Sequence, residues 1–173
     1  VLNLTVSSTN APTARLFGND LTVKGDVAIQ SGATLSANGR ALWVACDWTN
    51  DGAFSHDNGA VHFNGDTVIG VASISSFFDI FLEVSSTVDV GPGTLTVAGA
   101  VTNNGALKQT LSAGAGTTAF LNISANKYYG VEITPAAAMG DTTVTVRGNQ
   151  LCASQSVRRC FDIEPASPQA ATV

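Results

Sequence analysis

Apolar and polar residues alternate along this chain in short bursts, and each burst breaks at a Gly, Asn or Asp. Leu21 and Val23, then Val27 and Ile29, fall on one side of an extended segment, while Thr22 and Lys24 fall on the other. The same phrase is heard three times, as "LTVKGDVAIQSGATL" (21–35), "LWVACDWTNDGAF" (42–54) and "LTVAGAVTNNGAL" (95–107). Each copy has a Leu, a Val two places on, and a Gly or Cys two places later. An apolar Val27, Trp48 or Val101 follows after two more. Each then closes on a polar corner, "QSGA" (30–33), "NDGA" (50–53) or "NNGA" (103–106). A second phrase recurs as "LTVSST" (4–9) and "LEVSST" (82–87), and each instance precedes an LTV copy.

No segment sustains the i, i+3, i+4, i+7 spacing of an amphipathic helix. The most apolar run, "SISSFFDIFLEV" (73–84), is rich in β-branched and aromatic residues and reads as a buried strand. Short strands, Gly corners that supply positive φ, and no crossover helices leave two all-β architectures. One is a parallel β-helix, a solenoid whose coils of about 20 residues stack on one another. The other is an antiparallel β-sandwich. Repeated phrases favour the β-helix, because stacking reuses the same inward position in every coil. The expectation is a β-helical repeat domain over residues 1–112.

After Leu111 the wording changes. "SAGAGTT" (112–118) reads as a joint, and "TAFLNISA", "YYGVEITP", "TTVTVRG" and "RRCFDIEP" read as four alternating strands without the LTV phrase. Residues 113–173 are therefore expected to form a small antiparallel β module capping the C-terminal end of the solenoid. Its last hairpin carries Cys152 and Cys160 around "CASQSVRRC". In a Lys-poor β chain this spacing reads as a disulfide and an oxidising, extracytoplasmic setting, two unpaired thiols being the alternative. At the other end, Val1, Leu2, Leu4 and Val6 are expected to present an open coil, a possible assembly strand. The chain starts without Met inside what reads as a strand, as a processed or excised segment would.

Composition narrows the function. Charged residues make up 12% of the chain, below the usual share of about 25%, and the net charge is −5. Lys and Arg are scattered, apart from Arg158-Arg159, so there is no basic stripe for nucleic acid. No apolar stretch is long enough for a membrane span.

Candidate chemistry is sparse. Asp47, Asn50, Asp51, Asp57, Asn58 and Asp66 lie in Gly-rich corners and are of the type that bind calcium, but they share no repeat position and read first as corner caps. His56 and His62 lie near Asp57 and Asp66 without a third metal ligand or a nucleophile. Asp47, Asp66, Asp79 and Asp89 would matter if stacking paired two of them, as in polysaccharide-cleaving enzymes. Trp48 takes the core position of the phrase. Trp43 takes its outward position, where it could contact a glycan or pack at an interface. Tyr128-Tyr129 invites the same pair of readings. Cys46 replaces a phrase Gly and reads as a small buried hydrophobe. Asn3-Leu4-Thr5 and Asn122-Ile123-Ser124 match a glycosylation triplet by coincidence of composition. No cofactor and no catalytic residue is expected.

"GNDLTVKGD", "LTVAGAVTNNGAL" and the closing "NKYYGVEITPAAAMGDTTVTVRGNQLCASQSVRRCFDIEP" together resemble the secreted bacterial cell-surface β-helical repeat proteins, of the right-handed parallel β-helix type, with a Cys-containing C-terminal β module. The resemblance spans nearly the whole chain, although such proteins are usually much longer. It implies a non-enzymatic structural protein that is secreted and serves adhesion or forms filaments. Its partners would be further copies, neighbouring segments of a longer surface protein, or a surface glycan. No catalytic motif carries over. The alternative class is a carbohydrate-binding or polysaccharide-cleaving β-helix, which requires an exposed aromatic row or paired carboxylates.

Overall fold

Pairing the short apolar bursts with one another in parallel satisfies their backbone groups and buries one side of every strand. The computed structural model describes residues 1–70, 75–121, 123, 130–149 and 159–173 and follows this logic through about five coils. Coil 1 holds β1 (Leu4–Val6), β2 (Thr13–Arg15) and β3 (Leu21–Val23). Coil 2 holds β4 (Val27–Ile29), β5 (Thr34–Ser36) and β6 (Leu42–Val44). Coil 3 holds β7 (Trp48–Asn50), β8 (Ala53–Ser55) and β9 (Ala60–Phe63). Coil 4 holds β10 (Asp66–Val68), β11 (Ser75–Phe77) and β12 (Asp79–Leu82). Coil 5 holds β13 (Thr87–Asp89), β14 (Leu95–Val97) and β15 (Val101–Asn103). The described residues contain no helix, and the sandwich alternative fails because every pairing among these fifteen strands is parallel.

The three strands of each coil lie on three walls. The third wall is an unbroken sheet in the order β15-β12-β9-β6-β3. The first wall holds β1-β4-β7 and continues through a single parallel bridge, Trp48 to Ile69, into the sheet that begins at β10. In-register stacking turns sequence positions into columns. Leu42, Val61 and Ile80 lie over one another and are fully buried, as are Val44, Phe63 and Leu82 beside them. Each such side chain contributes about 1.5–3 kcal/mol through burial. Trp48 is wholly inside at 0% exposure, with Phe54 edge-on at 4.9 Å and Phe77 at 5.2 Å. The run 73–84 is not one strand. Phe78 forms a one-residue corner between β11 and β12, because a wall is too narrow to hold so long a segment.

Corners are closed by side chains reaching one coil along. Asn3 Oδ1 accepts from the Asp26 amide (3.1 Å), Asp26 Oδ1 from the Asp47 amide (3.1 Å), and Asp47 Oδ1 from the Val68 amide (2.8 Å). On the approach to the third wall, Asp20 and Asp79 do the same for the amides of Ala41 (2.9 Å) and Ala100 (2.7 Å). Corner backbones also press together. A Cβ placed on Gly65 would lie 2.1 Å from the Ala45 carbonyl oxygen.

The solenoid ends in one strand with two edges of opposite character. β16 (Ala106–Ala113) pairs in parallel with β13 and, along its whole length, antiparallel with β19 (Gly140–Gly148). β19 in turn pairs antiparallel with β20 (Arg159–Pro165), giving the order β10-β13-β16-β19-β20. β17 (Thr118–Phe120), β18 (Val131–Pro135) and β21 (Ala171–Thr172) form a second antiparallel sheet beneath the core. Gln109 ties the parts together. Its buried side chain donates Nε2 to the Gly93 carbonyl (3.0 Å) and accepts the Leu121 amide on Oε1 (2.6 Å).

The first coil is open at the edges of β1 and β2, and its four apolar residues differ in exposure. Val1 is laid along β3, its amine donating to the Thr22 carbonyl (2.7 Å) and its carbonyl accepting the Lys24 amide (2.8 Å). Val6 points into the core at 5% exposure and Leu4 is half-buried. Val1 and Leu2 are the open apolar residues of the four, at 61% and 77% exposure. Val6 and Leu4 are covered because they sit above Ile29 and Val27 in the first-wall columns.

The corner contact makes a test. Gly65→Ala should destabilise the protein by about 1–3 kcal/mol, because the Ala45 backbone has to shift to admit a methyl group. Gly114→Ala, with nothing within 4 Å of its Cβ, should be near neutral. Thermal melts of the two variants measure the contrast.

Candidate functional site

The outward residues of the third wall form columns as strictly as the inward ones. Thr22, Trp43, His62, Phe81 and Thr102 stand in line. The three rings at the centre of this line stack face to face. Trp43 and His62 have centroids 3.9 Å apart with planes 14° apart, and His62 and Phe81 are 4.4 Å and 6° apart. Glu83 Oε1 lies 2.8 Å from His62 Nδ1, on the polar column beside the rings. All three rings are half-buried.

This is an aromatic row, with a limit on what it does. A sugar ring stacks on an aromatic face, and here both faces of His62 and the inner faces of Trp43 and Phe81 are covered by one another. The row shows edges outward. The indole face directed toward Thr22, an exposed and much smaller residue, is the largest ring surface left at its end. Trp43 therefore does face outward and Trp48 inward, as the phrase alignment indicated. The partnership of Trp43 with His62 and Phe81 was not visible in the phrase, because neither "AVHF" nor "DIFL" carries the LTV wording.

The carboxylates do not converge. Asp47 lies opposite Val68 and caps its amide, two residues beyond Asp66. Asp66 pairs with Thr87, and Asp79 lies between Ala60 and Ala100 on the third wall. Asp89 holds Lys108 at 2.9 Å. Asp47 and Asp89 share a column with Val68 between them, and Asp66 and Asp89 line one shallow depression with Lys108, but no two of the four acids are register partners. Among the described residues, no three His, Cys, Asp or Glu side chains gather as metal ligands would. His56 sits in the corner after β8, where its Nδ1 accepts the Asn58 amide (3.1 Å).

Asp57 is the most connected acid. It accepts the Ser36 hydroxyl (2.8 Å), the Ser55 hydroxyl (2.8 Å) and the Asn38 amide (3.1 Å). Asn38 also binds the Arg15 guanidinium and the Leu16 carbonyl, so this corner column ties coils 1, 2 and 3. The Ser36 hydroxyl first and the Ser55 hydroxyl second hold the Asp57 carboxyl below its ordinary range; desolvation opposes them, and the Asn38 amide and the charge of Arg15 add lesser lowering effects. Asn38, Asp57 and Asn58 all take positive φ, as small polar residues at corners do.

Cys46 is half-buried rather than buried. The corner turns outward there, and its Sγ lies 3.9 Å from the Lys24 carbonyl oxygen. Cys160 is the second residue of β20, whereas Cys152, Asn122 and Tyr128-Tyr129 lie outside the described residues. No helix among the described residues is long and apolar enough to cross a membrane. Compared with protein-family models, with curated proteins and with solved structures, the chain matches none of them.

The Asp57 corner gives an acid-side test. A carboxyl whose pKa is lower folded than unfolded adds stability that is complete above the unfolded value and is lost as pH falls through the folded one. Wild type should therefore lose melting temperature as pH drops below the ordinary value of 3.8, and Asp57→Asn should show a shallower loss there. Thermal melts at pH 5 and at successively lower pH read the difference.

Proposed function

We propose that the chain is a non-enzymatic, extracellular structural protein, a β-solenoid segment of a cell surface or fibre that works by extension and adhesion. The observation that carries this reading is that side chains across the coils are committed to stacking. The acids cap amides, the aromatic row covers its own faces, and the interior is a closed apolar column. The first coil offers backbone edges on β1 and β2, so another coil fits over it, supplied by a neighbouring copy or by further chain. The resemblance to surface β-helical proteins agrees with this use, and a Cys152–Cys160 disulfide would suit an oxidising location. Sedimentation velocity over a range of concentrations, with electron microscopy of the concentrated sample, tests the reading. It expects association into rods one solenoid wide. A compact monomer at high concentration would overturn it.

A carbohydrate contact is the second reading, favoured by one observation: the free indole face of Trp43 beside exposed Thr22. It expects retention on a cell-wall polysaccharide that Trp43→Ala abolishes and that a variant at Phe17, exposed on another part of the first coil, leaves intact. Equal retention of both variants would remove it.

A further inference from the structure

The first wall carries its columns beyond the solenoid and into the cap. Leu4 lies over Val27, Val27 over Trp48, and Trp48 bridges to Ile69. The register of β10 with β13, and of β13 with β16, continues that line through Val90 to Gln109. Gln109 then faces Val144, and Val144 faces Ile163 on the last strand. One column thus connects Leu4 of β1 with Ile163 of β20. Two residues earlier runs a parallel line whose lower half is Val88, Leu107, Val146 and Phe161. At its top, next to Gly25, stands Leu2.

Two facts about the ends of these lines belong together. The inner members Val88, Leu107 and Val146 are 0% exposed, while the end members Leu2 and Phe161 are 77% and 40% exposed. Strand direction also agrees. β19 runs against β16 and β20 runs against β19, so β20 points the same way as β16 and every other first-wall strand. The cap reverses the chain twice and ends on a strand with the direction of a coil. Over Phe161–Glu164 the outer edge of β20 pairs with no other described strand.

We propose that β20 of one copy pairs in parallel with β1 of a second copy, placing Ile163 beside Leu4, Phe161 beside Leu2 and Glu164 beside Thr5 across the joint. This deepens the extension reading and rests on it: the second copy becomes the next coil, and the apolar columns continue across. The contact is heterologous and does not use up its own ends, so it builds an open filament. Edge pairing supplies backbone hydrogen bonds, and the two apolar pairs fix the register. Pro165, which lacks an amide hydrogen, limits the pairing at the end of β20.

A cross-link distinguishes this joint from association of another kind. Thr5 and Glu164 are both exposed and point outward, so cysteines there leave the core intact. In a Cys46→Ala background, Thr5→Cys with Glu164→Cys should give an intermolecular ladder on oxidation, resolved without reductant. Thr5→Cys with Asp162→Cys, offset by two residues, should give little, since a disulfide needs close Cα atoms. Leu2→Lys and Phe161→Lys should each weaken association about tenfold in sedimentation, as loss of an interface anchor does. Association that persists with equal cross-linking of the two cysteine pairs, or with none, overturns the joint and leaves extension standing. A monomer in every case, with an unchanged circular dichroism spectrum, overturns both.

Discussion

Everything in this molecule depends on the parallel hydrogen bonds between successive coils. Strands so paired lie about 4.7–4.9 Å apart, and each residue is fixed over one particular residue of the next coil. A position is therefore chosen together with its column. Where the column points inward, the choice is apolar, as in Leu42, Val61 and Ile80. Where it points outward, like groups are brought within contact whatever their chemistry. Stacked rings suit that spacing with a small lean, and Trp43, His62 and Phe81 take it. Like charges do not suit it. Lys108 beside Asp89, and acids turned to backbone amides at the corners, are the arrangements that the spacing tolerates.

The same constraint makes ending the solenoid a problem, since the last coil leaves donors, acceptors and apolar interior uncovered. β16 solves the first part by being longer than any strand before it. It takes the parallel pattern from β13 and presents an antiparallel edge to β19. Gln109 solves the second. A buried amide costs stability unless both its ends are bonded. Here one end holds the Gly93 corner of the last coil and the other holds Leu121 beneath the core. An interior column of Val, Trp and Ile changes to a polar residue at the level where the architecture changes.

How much of this could be read from the sequence depends on what the phrases encode. Alternation, Gly corners and the absence of helical spacing were enough for stacked parallel strands and an antiparallel end. The copies at Leu21 and Leu42 do stack on the third wall. The copy at Leu95 does not. It forms β14, paired with β11 on another wall, and the third-wall position of that coil belongs to Val101. Likewise Leu4 heads a first-wall column, whereas Leu82 of the matching "LEVSST" lies on the third wall. The physical reason is that all three walls ask the same of a strand: apolar, polar, apolar, then a tight corner. A phrase therefore marks a strand and not a wall. Stacking partners with other wording, such as Val61 and His62 in "AVHF", were invisible for that reason, and the aromatic row with them.

The column rule also bears on what kind of work this surface can do. Catalysis needs unlike groups converging on one atom, with a general acid, a base and a charge stabiliser within hydrogen-bond reach. In-register stacking does the opposite, spreading each residue type along the axis and pointing neighbours apart. A solenoid can overcome this with long loops that fold back over a wall. Among the described residues the corners run from the single Phe78 to six residues, as at 7–12, and the side chains of Asn3, Asp26 and Asp47 are occupied with the next coil. Short corners leave the third wall as one continuous sheet with unbroken columns. Such a wall with a fixed axial repeat is a surface for lateral contact, and an unbroken column is a surface for axial addition. Both are surfaces that the proposed structural role would use.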